Sequence, residues 1–491
     1  MKTKKIIITA TAILAGIISC KEEELELQDP NVIVPDTFFQ RSNELQSAVN
    51  ATYSFLQSQG MYGRIAFFLF DNLSQENLGT DALQGGLKAF MDYTYDPSLG
   101  EFFTYWQAAY RGIASANFVI EADANGFIET KNIPQEEINQ RLGEVRFLRA
   151  LYYFNLTNLW GGVPLTQQTE PEGLEVPKAS QEEVYALIKE DLNFAVANLS
   201  EQADTQQGRA TRAAALALKG KVHLFLEEWA EAKAALESIT GYTIEGVAPR
   251  DNGNEAGEFN PESIFEVNYD KQIGGDQWDA TGNGVRETTF RGIEYAPTNF
   301  ANIVVRPSFF AEFEDDDPRI EAYFYQNGDT YNNGNNTFDG LTSVVWRKYQ
   351  NLDVQPQDGF DYSGINFRVI RYADVLLMLA EAENELGNQA AAIALLNRVR
   401  DRVNMPNYGT EEMDRRGYPV GTQQQVFEVI VHERAVELAG EQIRYFDLKR
   451  WGLLPEVIEG FQTGKHEFLP IPQQEIDANP ALTNADQNPG Y

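Results

Sequence analysis

Enzymatic chemistry needs reactive side chains at workable spacings, and this sequence offers few. It has three histidines, His223, His432 and His466, and one cysteine, Cys20. Three scattered histidines leave little for a zinc centre or a Ser-His-Asp triad, and one cysteine excludes an internal disulfide framework. No G-x-S-x-G, P-loop, H-E-x-x-H or C-x-x-C pattern occurs. The 73 acidic residues guarantee chance carboxylate pairs, so counting alone does not exclude a glycosidase-like pair. Asp315-Asp316-Asp317, followed by Pro318, reads as the cap of a turn or helix start. Asp251-Asn252-Gly253-Asn254-Glu255 carries oxygen ligands on alternate positions but lacks the full EF-hand pattern, and reads as an Asn-Gly turn. No cofactor and no metal site are expected from these residues, and a chance carboxylate pair stays open at this point.

Binding of sugars needs different residues. A sugar ring presents a C–H face that stacks on Trp or Tyr, while its hydroxyls need Asn, Asp, Gln or Arg. Of the six tryptophans, Trp106, Trp160, Trp229, Trp346 and Trp451 lie in helical or strand-like runs and are expected in the core. Trp278 stands alone in GGDQWDATGNG, with few apolar neighbours to bury it, and is the first candidate platform. Tyr93 and Tyr95, in AFMDYTY, are secondary candidates. Tyr295 and Asn299, in EYAPTNF, form a third group, with Arg286 and Arg291 near enough in sequence to bind hydroxyls, uronate or sulfate.

The elements that must position these residues can be read from periodicity and composition. The chain has 491 residues, 43% hydrophobic and 12% aromatic, enough for a large core and too apolar for a disordered chain. That length fits two to four domains, or one large one. A net charge of −34 argues against a general nucleic-acid binder. Lys2, Lys4 and Lys5 precede an apolar run from Ile6 to Ile18, too short to span a bilayer but suited to a signal peptide. Ser19-Cys20 follows like a bacterial lipobox, so cleavage before Cys20 and lipidation of its sulfur are expected. Loss of residues 1–19 removes those three lysines and takes the net charge to −37. Residues 20–35, with an acidic run after Lys21, read as a tether.

Three stretches carry helical periodicity: Gln140 to Leu159, Ala213 to Ile239 with a turn near Glu227-Glu228, and Tyr372 to Arg402, broken at Gly387-Asn388. Further helices are expected at about Asn43 to Gln59 and Tyr105 to Asp123. Gly220, Ala232, Leu236 and Ile239 share their spacing with Ala380, Ala392, Leu396 and Val399, 160 residues on. The pattern is that of the tetratricopeptide helix-turn-helix, assembled here from distant parts of the chain. Thr240 to Phe367 is rich in Gly, Asn and Asp, with short strand-like runs at Ser263 to Asn268 and Ser343 to Lys348. Gly60 to Gly100 reads as a second loop-rich stretch.

Several long segments resemble one family. EVRFLRALYYFNLTNLWGGVPL (144–165), IRYADVLLMLAEAENELG (370–387), HERAVELAGEQIRYFDLKRWG (432–452) and FLPIPQQEI (468–476) are similar, in this order, to motifs of the SusD/RagB outer-membrane lipoproteins. The resemblance implies a mostly α-helical fold of tetratricopeptide-like pairs with a loop-rich insertion containing short strands. It places one domain at 36–491, with a helical scaffold at about 36–239 and 368–491 and the ligand region at about 240–367. It implies a non-enzymatic, lipid-anchored outer-membrane protein, facing the exterior, that binds oligo- or polysaccharide and caps a SusC-like TonB-dependent transporter. A peptide ligand, or a structural lid without a ligand, are the alternatives. Aromatic residues near Tyr93 and in the central loops form the platform in such proteins. Glu433, Arg434, Arg444, Asp447, Lys449, Arg450 and Trp451 match the terminal motif, and are expected to be structural, on a solvated or ion-paired face.

Overall fold

A computed structural model describes residues 35–169, 175–273, 286–354 and 363–491. Cys20 with the leader and most of the tether, and Trp278, lie outside these residues.

The scaffold is a succession of packed helices. α1 (Ser42–Ser54), α2 (Ile65–Leu73), β1 (Asn77–Gly79) and α3 (Gly85–Asp92) lead into the long α4 (Gly100–Ala124) and α5 (Gln135–Trp160). α6 (Gln181–Asn198), α7 (Arg212–Phe225) and α8 (Trp229–Glu237) follow. Each of α4 to α8 packs on its successor. The starts are written in side chains: Ser180 and Glu183 close a capping box on α6, and the Thr211 hydroxyl accepts from the Ala214 N–H of α7. Gly161, at φ +73°, ends α5 where the Gly-Gly-Val-Pro turn begins.

β2 (Ser263–Val267), β3 (Ile303–Val305), β4 (Phe324–Tyr325), β5 (Val345–Trp346) and β6 (Phe367–Arg371) then build the loop-rich region as short antiparallel pairs. β2 pairs with β6, and Ser263 lies opposite Arg371, so the chain leaves and re-enters the scaffold at one place. α9 (Tyr372–Glu385), α10 (Gln389–Arg402), α11 (Gln423–Glu437) and α12 (Arg444–Arg450) resume the stack. α8 packs directly on α9, so the two copies of the shared spacing are neighbours in space. Within the first copy a Cβ on Gly220 would come 2.5 Å from the Leu236 side chain. In the second, Ala380, Ala392, Leu396 and Val399 are all fully buried. The fold is therefore mostly helical, tetratricopeptide-like, with short strands in its insertion.

Three expectations need correction. Gly60 to Gly100 is not a loop stretch: it holds α2 and α3, and every residue of α2 is buried. IAFFLFDNL is apolar all around, so no amphipathic period marks it. Trp106, Trp160 and Trp346 are core residues, but Trp229 and Trp451 are only half-buried. Trp451 packs edge-on against Phe427 and donates its indole N–H to Glu381 (2.8 Å). The terminal motif is ion-paired but not solvated, since Glu433, Arg434, Arg444 and Asp447 are buried.

Glu433, Arg434 and Asp447 join a buried ionic hub. Glu437, at the end of α11, accepts from Arg371 (2.7 Å) and Arg402 (2.5 Å) and faces Arg319 (3.1 Å). Arg319 also reaches Glu433 (2.6 Å) and Asp317 (2.7 Å). Arg371 also meets Glu441 (2.7 Å) and Glu262. Arg434 bridges Asp374 (2.9 Å) and Asp447 (2.7 Å). Burial pushes the Glu437 carboxyl up, but Arg402, Arg371 and Arg319 overcome it and hold the group well below the usual carboxylate range. Asp317 also accepts from the Arg319 backbone N–H (2.9 Å), the turn cap expected of the Asp315-Asp316-Asp317 run. In the 251–255 segment the Asn252 side chain is committed at both ends, donating to Glu262 (2.7 Å) and accepting from Asn260 (3.0 Å).

Candidate functional site

Where the end of α1, the 206–209 turn and the end of β2 meet, they leave an open cleft of about 400 Å³. Its lining is unlike the hub. Asn50, Tyr53, Gln57, Gln206, Gln207 and Asn268 supply amides and one aromatic ring, with Arg209, Glu266 and Glu287 as the charged groups. Amides offer both donors and acceptors to hydroxyls, and a half-buried tyrosine offers a ring face with a polar tip.

The walls are locked from behind. The Gln57 side-chain amide donates to the Asn268 carbonyl (2.8 Å) and to Glu287 Oε2 (2.8 Å), tying the two ends of the 269–286 segment to the turn that follows α1. The Asp270 N–H donates to the Glu287 carbonyl (2.8 Å), holding the same stem. The Tyr53 hydroxyl donates to Glu144 (2.8 Å) and accepts from the Ala210 N–H (2.9 Å). Burial first, then the Glu144 charge, raises the Tyr53 phenol well above its ordinary value, so it stays a neutral donor. Arg209 lies over the Tyr53 ring at 5.8 Å. Gly208, at φ +87°, brings the turn so close to Asn268 that a Cβ would meet that side chain at 1.8 Å.

The residues singled out from sequence are placed elsewhere. Tyr93 and Tyr95 are 4% exposed and pack on His466, Phe461 and Phe102, and the Tyr93 hydroxyl donates to the Leu73 carbonyl (2.7 Å). Tyr295 is fully buried, donating to Asp71 (3.2 Å) and accepting from Asn77 (2.9 Å). Arg291 donates to the Gly440 carbonyl (2.6 Å), faces Asp71 (3.4 Å) and lies over the Tyr349 ring at 3.9 Å. Rings without an exposed face cannot stack on a sugar, and a committed guanidinium cannot greet one, so these four are packing residues. Asn299 and Arg286 are half-buried, and each already has a partner. Neither lines the cleft. The cleft residues carried one faint sign in the sequence, the amide-glycine run Gln206-Gln207-Gly208; Gln57 is separated from its partners Asn268 and Glu287 by 211 and 230 positions.

Beneath the neighbouring helices sits a second group of note. Asp71 and Glu76 are buried together, with Gln442 donating to Asp71 (2.7 Å) and the Gly440 N–H and Ser74 hydroxyl donating to Glu76 (2.9 and 3.0 Å). Burial pushes Asp71 up to about 6 against the pull of Arg291, and burial with the Asp71 charge pushes Glu76 up to about 8.

Comparison with known proteins agrees with this architecture. A family model described as the SusD family matches residues 261–467, and one described as starch-binding associating with outer membrane matches residues 33–224. A SusD-like protein of Formosa agariphila is 29% identical over the whole of both chains. The starch-binding protein SusD of Bacteroides thetaiotaomicron is 24% identical over 74% of this chain and 75% of its own. Among solved structures, a SusD superfamily protein of Bacteroides vulgatus superposes with a TM-score of 0.78 at 24% identity, covering 93% of this chain and 100% of that one. A laminarin-binding SusD-like protein superposes at 0.73 with 28% identity, covering 92% and 100%.

Proposed function

Because the chain belongs to the SusD family, we propose that it captures oligo- or polysaccharide at the outer membrane and passes it to a SusC-like TonB-dependent transporter. In this reading residues 1–19 are a leader, Cys20 carries the lipid anchor, residues 20–35 are the tether, and the folded domain faces the exterior. A diacylglycerol on the Cys20 sulfur brings two acyl chains, enough for stable membrane residence, and the transporter adds a second hold.

The observation that carries the reading is the amide-lined cleft at the stem of the 269–286 segment. The segment between those stems contains Trp278, the aromatic platform we propose for the sugar face; Asn299 and Arg286 stay as proposed outer contacts. The cleft's own chemistry favours holding over cutting. Glu266 is buried and engaged by Asn366 (2.9 Å) and Arg368 (3.4 Å), which leaves it poorly placed to act as a general acid or nucleophile.

Calorimetric titration of the mature protein with panels of oligosaccharides and peptides tests the proposal. Glycan binding that grows with chain length, without release of shorter products, is expected. Peptide binding alone would replace the ligand class, and steady hydrolysis would replace the function.

A further inference from the structure

We infer that a second cleft, between α4 and the short helix Gln473–Ala478, takes the ammonium end of a lysine side chain presented by a peptide or protein segment. The inference is independent of glycan capture and of the cleft around Tyr53.

α4, the 164–169 turn and that short helix leave an open space of about 260 Å³. Its carboxylate is Glu475, which is half-buried. One oxygen accepts the Trp106 indole N–H (3.1 Å), and the other accepts the Asn479 side-chain amide (3.3 Å). Both donors are neutral. Burial raises the Glu475 carboxyl above its ordinary value in spite of the Asn479 and Trp106 bonds. Lys178, two positions beyond Val176, does not line the cleft and donates to the Asp486 carbonyl (3.0 Å) and Asn488 (3.0 Å). The Tyr110 ring, 5.1 Å from that of Trp106, lies on the same wall, with its hydroxyl donating to the Pro164 carbonyl (2.7 Å). Ala114, Pro164, Val176 and Ala478 supply apolar walls. The rim is tied down from behind: the Thr169 N–H donates to Glu121 (2.8 Å), and Asn117 donates to the Thr166 and Gln168 carbonyls (3.3 and 3.0 Å).

These groups select among ligands. A half-buried carboxylate held only by neutral donors keeps free lone pairs, and an arriving cation offsets the cost of its burial. Each Glu475 oxygen already has one donor, which spoils the two-pronged contact that a guanidinium makes best. An ammonium is a point charge and needs only one free lone pair. Tyr110 adds a ring for cation–π attraction. The apolar walls match the methylene stem of a lysine, whereas the hydroxyls of an amino sugar would lose water against them. The chain's net charge of −34 draws basic segments toward its surface.

The test titrates the full mature protein with single capped residues, acetylated at one end and methylamidated at the other: lysine, norleucine and arginine. A glucosamine disaccharide is the fourth probe. The lysine probe is expected to bind at least about tenfold tighter than norleucine, which has the stem without the charge, and tighter than arginine. Glu475→Gln should erase that preference while leaving the protein's glycan affinity unchanged. Ala478→Trp, at an exposed position, should block the cleft, and covers the case in which the first variant folds poorly. No binding of the lysine probe, norleucine binding as tight as lysine, or a lysine preference that survives both variants overturns the inference. Tighter binding of the glucosamine disaccharide, lost in Glu475→Gln, would also overturn it, by putting an amino sugar in place of the lysine.

Discussion

The hub around Glu437 and the cleft around Tyr53 are both polar, and they do opposite work. In the hub every carboxylate faces at least one guanidinium or ammonium, and almost no side chain touches water. In the cleft, amides outnumber charges, and the lining side chains other than Leu56, Glu266 and Val267 are half-buried or exposed. The hub's hydrogen-bonding capacity is consumed internally, so it clamps α11 to β6, α10 and the loop-rich region. The cleft's capacity is only partly consumed, by bonds that reach back into the scaffold, and the rest faces outward. Polar residues in this fold thus signal binding only where the protein leaves their valences unfilled.

Breaking the hub should give the largest effect. Glu437→Ala leaves Arg371, Arg402 and Arg319 short of a counter-charge in a dry site, and removal of one partner from a buried pair costs about 3–5 kcal/mol. Denaturant unfolding should show that loss, or no folded protein at all. A loss under about 1 kcal/mol would mean that the hub holds nothing together that packing does not already hold.

Titration separates buried charges of two kinds. Asp374 is held down at about 2 by Lys221 and Arg434 in spite of burial, and Glu437 lies lower still. An acid whose folded pKa is depressed contributes stability above its unfolded value near 4, lost as pH falls through that range. Asp71 and Glu76 have raised values, about 6 and about 8, so the sign reverses: they favour the folded state while protonated, and that contribution is lost as pH rises from about 4 to about 8. Melting temperature should therefore climb from acid to about pH 5 and decline toward pH 8. Glu76→Gln should flatten the decline. An unchanged slope would place the alkaline loss elsewhere.

Much of the scaffold was legible because its helices alternate faces. The pairs 212–225 with 229–237, and 372–385 with 389–402, fell where the apolar period and the Gly387-Asn388 break put them. Helix α2 was not legible, since a segment buried on all sides has no period. The hub was unreadable for another reason: Arg319 and Glu433 are 114 positions apart, and nothing local marks them as partners. Tyr93, Tyr95 and Tyr295 misled because an aromatic in a short, glycine-flanked segment looks exposed when it is in fact folded onto the core.

The remaining predictions concern the cleft. Trp278→Ala should weaken glycan binding by about tenfold or more while barely moving the melting temperature, since stacking contributes about 0.5–1.5 kcal/mol beyond the area it buries. A core tryptophan would instead lose about 3–5 kcal/mol of stability, so one mutant measured by calorimetry and by melting decides between the two. The smallest effect expected is that of Glu287→Gln on folding, within about 0.5 kcal/mol. If it destabilised the protein as much as a hub substitution, the line drawn between clamp and cleft would dissolve.

The pairing of β2 with β6 has a consequence for chain entropy. Ser263 and Arg371 lie opposite one another, so everything between them is a closed excursion with adjacent ends. The cost of closing a flexible loop rises only with the logarithm of its length, about 0.6 kcal/mol for each doubling. Residues can thus be added to or taken from the exposed turns of this excursion, away from the buried Arg291, Arg319 and Trp346, at small entropic cost. A scaffold built this way can vary the length of its exposed turns and still register the two halves of its superhelix at the same pair of strands.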